Sequence, residues 1–450
     1  MTSVPAPFRV ITDVEAARAS ILRRAPLPEA QLPEAVLQRL AALFGAPVSA
    51  QEAVDRIIAE VRRRGDDALR DYSRTIDGVL LDDLAVPPSE LRAALTEIPA
   101  ALRLALEVAA ERVRAFHQRQ PRHSWLHWQE EGALGQMVLP LERVGVYVPG
   151  GTAPLASSLI MAAVPAQVAG VDEIAVCTPP QPQTGLPHPV VMAAAAVLGL
   201  ERVYRVGGAQ AIAAMALGTE SIPRVDKVVG PGNVFVVLAK KALYGSVGIE
   251  SLPGPTETLI IADDSADPAA VAADMLAQAE HTMATALVLT TSSELIEALA
   301  REVNARLSHA CDSLAVESLA NRGGVVLCRS LSEAMALANE YAPEHLCLLV
   351  RDPWSLLPRV RHAGGVFLGH LSSEALGDYV AGPSHIMPTG GTARFASPLN
   401  VWDFVKITSI FAIGATEAAQ IGPAGAILAE AEGLTFHRDA IMLRGGESTD

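Results

Sequence analysis

Residues 144–177, VGVYVPGGTAPLASSLIMAAVPAQVAGVDEIAVC, decide the fold class. Residues 145–148 form a short run rich in β-branched and aromatic types, ending at Pro149-Gly150-Gly151. Residues 157–168 are apolar and Ala-rich at helix length, and 173–177 are again β-rich. A strand, a glycine-rich turn, a helix and a second strand make a parallel crossover unit. Going outward, the alternation continues through 189–198, 203–206, 209–217, 227–229 and 233–243. A second run follows: strands at 259–262, 287–290, 325–328, 346–350 and 366–368, with helices such as 268–280 and 331–341 between them. Asp267 is placed to cap the first of these helices, with Pro268 in its first turn.

The expectation is an α/β fold of two Rossmann-like, incompletely doubly wound modules, with a helical N-terminal segment and a C-terminal tail. Residues 51–72 and 102–117 carry apolar residues at helical spacing, the first with a break at Gly65. The tail reads as a strand at 405–411 and a helix at 423–432 closed by Gly433. The expected boundaries are an arm at 1–30, a first module of 31–146 plus 257–395, a second of 147–256, and a tail at 396–450.

The 450 residues are 50% hydrophobic, 19% charged and 4% aromatic. With 35 Lys and Arg against 50 Asp and Glu, the net charge is −15. That balance disfavours nucleic acid and anionic membrane as partners, because neutralising phosphates takes clustered cations. No apolar run reaches the ~20 residues of a membrane span, and no basic-then-apolar leader opens the chain. Cys177, Cys311, Cys328 and Cys347 are scattered, with no metal-knuckle spacing. Cytoplasm is the expected compartment.

Four histidines lie in unusually polar settings. In Gln278-Ala-Glu-His281 the first and last residues share a helix face; spacing alone equally suits a solvated helix end. Glu344 and His345 meet at a strand mouth, where such a pair suits acid/base work or forms an ordinary loop. Asp378 and His385 share an irregular segment, and Glu432 and His437 sit near the C-terminus. The loops at 148–152, 207–210 and 230–233 are glycine-rich turns ahead of helices and suit phosphate or plain turns. None is a G-x-G-x-x-G.

Taken in order, the run beginning at Val144, then GGAQAIAAMALGT, VDKVVGPGNVFVVLAKK, LPGPTETLIIAD, QAEH, NEYAPEHL, GDYVAGPSHIMPTGGTARF and EGLTFH resemble histidinol dehydrogenase, from about Val54 to the C-terminus. The resemblance implies a zinc-dependent, NAD-linked oxidation of L-histidinol through L-histidinal to L-histidine, the last step of histidine biosynthesis. It implies a homodimer with exchanged tails, a shared active site and one Zn²⁺ per subunit. Gln278, His281, Asp378 and His437 would be metal ligands, His437 reaching across from the other subunit. Glu344 and His345 would be the catalytic acid/base pair. Thr256, His385 and Glu432 would hold substrate together with His345 and the metal ligands. Tyr147, Gln210 and Asn233 would contact NAD. Two positions depart from the pattern: Thr256 stands where many members have serine, and Pro383-Ser384 stands where Thr-Asn is common. A relative acting on another polar alcohol, such as a sulfonated propanediol, is the alternative.

Overall fold

The computed structural model describes residues 6–24, 34–129, 131–150, 154–310 and 313–444. Gly151 and Thr152 of the first glycine-rich loop, and Cys311, lie outside the described residues. In chain order the strands are β1 (Arg9–Ile11), β2 (Trp125–Trp128), β3 (Ala133–Pro140), β4 (Arg143–Tyr147), β5 (Glu173–Cys177), β6 (Val203–Tyr204), β7 (Lys227–Val229), β8 (Gly248–Ile249), β9 (Glu257–Ala262), β10 (Thr285–Thr290), β11 (Gly323–Leu327), β12 (His345–Leu349), β13 (Gly365–Leu368) and β14 (Val405–Ala412). They form a parallel five-stranded sheet, β6-β5-β4-β7-β8, and a parallel six-stranded sheet, β1-β11-β10-β9-β12-β13. A three-stranded antiparallel sheet, β14-β3-β2, completes the described strands. The fold is thus mixed α/β with parallel sheets. All six residues of β9 and of β10 are buried, as strands covered on both faces should be. No described helix is long and apolar enough to cross a membrane.

Local signals behave as their chemistry dictates. Ser49 and Glu52 form a reciprocal capping box on the helix Ala50–Arg64, and Gly65 ends it with φ +52°. The Asp267 side chain accepts from Ala269 N–H at 2.9 Å. Gly433 closes the tail helix with φ +73°, and Leu434 N–H reaches back to Ala429 O at 2.8 Å. That helix starts at Ala415, however, and Pro423 lies inside it.

The grouping of residues 31–146 with 257–395 is corrected by the packing. Val54, Ile57, Ile58 and Val61 share a core with Ala211, Ile212 and Met215 of the five-stranded module. Leu106, Ala109 and Val113 pack with Val144, Leu159 and Ile160 of the same module. Periodicity shows that a helix has an apolar face, not which sheet that face will cover. β4 also opens that module at Arg143, ahead of residue 147. The expected arm supplies β1, an edge strand in register with Gly324–Val326. From the expected tail, β14 pairs with β3 along its whole length, Val405 opposite Pro140 and Ala412 opposite Ala133.

Candidate active site

In the six-stranded sheet the chain runs outward from β9 through β10 to β11, then crosses to β12 on the other side of β9. The order therefore reverses between β9 and β12, and Glu344 and His345 stand at the amino ends of these two strands. The helix Leu331–Tyr341 ends at Ala342, whose φ is +52°, and Pro343 has no N–H to continue it. Glu344 and His345 then enter β12, only 6% and 3% exposed.

Glu344 Oε2 accepts from Thr256 Oγ1 at 2.7 Å and from Glu257 N–H at 3.0 Å. Burial nevertheless pushes its carboxyl up to about 7, against the opposing pull of His345 and these hydrogen bonds. His345 Nδ1 lies 3.2 Å from Glu257 O. A carbonyl only accepts, so the contact assigns the ring hydrogen to Nδ1 and leaves the Nε2 lone pair free. Nε2 is buried and has no hydrogen-bond partner.

The opposite wall comes from the helix Glu374–Tyr379, on which Glu374 and Asp378 share a face. Glu374 Oε1 is 3.4 Å from His345 Nδ1. Burial holds its carboxyl up at about 8, with the Thr258 hydroxyl donating to Oε2 and opposing the rise. Gln278 is buried in the last turn of the helix Pro268–Ala279. Its Oε1 is 3.1 Å from the same Thr258 hydroxyl, and its Nε2 is buried without a partner. One hydroxyl hydrogen cannot serve both Glu374 and Gln278. Turned over, the amide would donate from Nε2 to Thr258 Oγ1 and leave its carbonyl oxygen without a partner. A buried oxygen lone pair without a donor suits a cation.

His281 is exposed, its N–H donating to Gln278 O at 3.2 Å. His385 donates from Nδ1 to Asp378 O at 2.9 Å, and Nε2 accepts from Ser158 Oγ at 3.0 Å. Burial holds it below the usual imidazole range, so it is neutral and both ring nitrogens are engaged. Thr256 likewise commits its hydroxyl to Glu344. Gln278, Asp378, His385, Thr256, Glu344 and His345 thus belong to one linked neighbourhood. Glu432 and His437 are exposed on the tail, and no hydrogen bond or ion pair among the described residues ties them to it. Among the described residues, no three His, Cys, Asp or Glu side chains converge as a metal cluster.

The cofactor candidates stand at the opposite pole of the other sheet. There the order reverses between β4 and β7, and Tyr147 and the loop 230–233 flank that crevice at the carboxyl ends. The Tyr147 hydroxyl accepts from Gly208 N–H at 3.0 Å, and burial pushes the phenol up to about 12. Asn233 Oδ1 caps the helix Val234–Leu243, accepting from Phe235 and Val236 N–H at 3.0 and 3.2 Å. Gln210 is buried in the first turn of the helix Gly208–Leu217. Gly230 has φ +117°, and a Cβ there would lie 2.1 Å from Tyr147 O. Gly230→Ala is expected to cost at least ~1–3 kcal/mol in denaturant unfolding. A wild-type midpoint would show that this loop has slack.

Several residues escaped the sequence reading. Glu374 had a signal, standing one helical turn before Asp378. Thr258, Ser158, Glu257, Lys240 and Glu250 had none, because their partners are remote in sequence. Lys240, with no exposed side-chain surface, donates to Glu250 Oε1 and Oε2 at 2.7 and 3.0 Å and to Gly230 O at 2.5 Å.

The histidinol dehydrogenase family model matches residues 46–445. The chain belongs to the histidinol dehydrogenase family. It is 56% identical over 431 residues to a histidinol dehydrogenase of Deinococcus radiodurans, covering 95% of this chain and 98% of that one. A relative of the same description from Thermus thermophilus is 49% identical over 395 residues, covering 88% and 94% of the two chains. The crystal structure of histidinol dehydrogenase from Elizabethkingia anophelis superposes with a TM-score of 0.89 at 32% identity, covering 98% of each chain. Histidinol dehydrogenase relatives thus share both the sequence and the arrangement of sheets described above.

Proposed function

We propose that the chain is a zinc-dependent, NAD-linked histidinol dehydrogenase, oxidising L-histidinol to L-histidinal and then to L-histidine in one site. Histidinol oxidation in histidine biosynthesis is the activity of the family to which the chain belongs. The observation that carries the mechanism is the unpartnered, buried Nε2 of His345 beside a Glu344 carboxyl that titrates near neutrality. NAD, when bound, takes hydride from the substrate carbon in each oxidation. His345 Nε2 receives the hydroxyl proton as the alcohol becomes aldehyde. Ionised Glu344 then takes a proton from the water that adds to the aldehyde carbon, a task suited to a carboxylate whose pKa lies near the working pH.

Gln278, His281, Asp378 and the partner subunit's His437 would hold Zn²⁺, an oxygen and nitrogen set without thiolate. The unpartnered end of the buried Gln278 amide supports this. The metal would orient the substrate's imidazole and amine. Tyr147, Gln210 and Asn233 would hold NAD at the crevice of the five-stranded sheet. Thr256 serves the substrate pocket by fixing Glu344, and His385 does so by fixing Asp378; the partner subunit's Glu432 would meet the substrate amine. The bare apolar surface supports a homodimer with exchanged tails: Phe436 is 88%, Phe411 75% and Trp128 74% exposed. We place the enzyme in the cytoplasm.

A sulfonated diol is not favoured as substrate, because a sulfonate requires a cationic partner. Of the ionisable side chains gathered here, Glu344, Glu374 and Asp378 are acidic, and His345 and His385 commit Nδ1 to backbone carbonyls. Zinc-loaded protein is expected to form two NADH per histidinol consumed. One NADH with released aldehyde would overturn the two-step reading. His281→Asn is expected to lose zinc, read as metal content of the purified protein; full occupancy would remove His281 from the ligand set.

A further inference from the structure

We propose that Arg24, in the N-terminal segment, is a positioning residue of the reaction, locking the turn before Glu344 and the carboxylate of Glu257 into one rigid catalytic corner. The proposal rests on the assignment of Glu344 and His345 as the proton-handling pair.

A single guanidinium spans the corner. Nε and Nη2 donate to Tyr341 O at 2.9 and 2.7 Å, and Nη2 also donates to Ala342 O at 3.0 Å. Nη1 is ion-paired with Glu257 Oε1. The guanidinium carbon stands 3.6 Å over the centre of the Tyr341 ring. Tyr341 and the left-handed Ala342 form the turn that delivers Glu344 to Thr256 and Glu257. Glu257 holds the same pair from the other side, its N–H on Glu344 Oε2 and its carbonyl on His345 Nδ1. Arg24 therefore closes a ring around both proton carriers, across 233 residues from Glu257 and 317 from Tyr341. The planar fork does this with three nitrogens in fixed directions, which a lysine ammonium cannot reproduce.

The ring also sets the charge at the corner. The groups facing Glu344 are His345, which draws its carboxyl down, and Glu257, which pushes it up. Glu374 faces His345 from the opposite wall, with Asp378 one turn beyond it. Arg24 pairs with the Glu257 carboxylate, only 8% exposed, and Gly390 N–H lies 3.3 Å from the same oxygen. Without Arg24, Glu257 confronts Glu344 as an unpaired charge.

The experiment uses zinc-loaded enzyme supplied with histidinal, so that the water-adding oxidation is followed alone across pH. In wild type the rate is expected to fall as pH drops through the Glu344 titration, and Glu344→Gln is expected to abolish that limb. Arg24→Met is expected to lower kcat roughly 10–10²-fold with KM for NAD unchanged, and to move the limb up by about one pH unit. Glu257→Gln is expected to move it down, and the double variant to follow Glu257→Gln. Arg24→Lys is expected to keep the limb near its wild-type position while kcat stays low. A merely structural arginine would lower activity without moving the limb. If Arg24→Met does not fold, the Glu257→Gln shift reads the same coupling.

A limb unmoved in Arg24→Met, or in Glu257→Gln where that is the variant read, overturns the proposal. A limb that survives in Glu344→Gln overturns instead the assignment of Glu344.

Discussion

His345→Asn is expected to lower kcat for histidinol by ~10²–10⁴-fold, the range for loss of a positioned general base. The imidazole donates from Nδ1 to Glu257 O, which leaves Nε2 as a buried lone pair with no partner. An asparagine amide at this position still donates to a carbonyl but carries no basic nitrogen. The substitution therefore removes the proton acceptor and keeps the local hydrogen bond. Folding and metal content are expected to stay at wild-type levels, with the loss confined to kcat. Steady-state kinetics and metal analysis on the same preparation check this. Loss of zinc along with activity would instead make His345 a ligand.

Lys240→Met is expected to destabilise the protein by about 3–5 kcal/mol, the largest stability effect anticipated here. Lys240 and Glu250 are an ion pair with 0% and 4% of their side chains exposed. Removing the ammonium strands a buried carboxylate and frees Gly230 O. Glu250 Oε1 also accepts from Gly230 N–H at 2.8 Å. The pair thus holds both the N–H and the C=O of Gly230 at the mouth of the proposed cofactor crevice, and KM for NAD is expected to rise. Lys240→Met combined with Glu250→Gln is expected to recover most of the stability, because the amide keeps an acceptor for Gly230 and carries no charge. Urea unfolding of the two variants decides the matter. Equal instability would show that lost packing, not the stranded charge, dominates.

Much of the site was legible because its residues cluster in short segments. Gln278 and His281 lie three apart, Glu344 and His345 are adjacent, and Asp378 and His385 are seven apart, although Asp378 sits on a short helix and not in the irregular segment expected for both. Their pairings were not legible. Thr258 joins Gln278 to Glu374 and Ser158 binds His385, yet neither carries a local pattern, since each contact forms only when remote elements meet. His385 and Thr256 show the consequence. Both sit in the expected neighbourhood, but their polar atoms are engaged with protein groups.

By itself the sequence determined the alternation of strand and helix, the cap at Asp267, the Gly65 break and the Gly433 stop. Those features arise from hydrophobic period and hydrogen bonds within a few residues, so the local chain suffices. Only the tertiary structure decided that residues 50–117 cover the five-stranded sheet, that β1 completes the six-stranded one, and that Arg24 reaches the turn before Glu344. It also decided at which end of each sheet the candidate residues gather. The NAD candidates occupy the carboxyl ends of β4 and β7, whereas the acid/base pair occupies the amino ends of β9 and β12. An apolar period is the same at both ends of a strand and on any helix face of like width. The choice between them is made by packing across hundreds of residues, which no local pattern encodes.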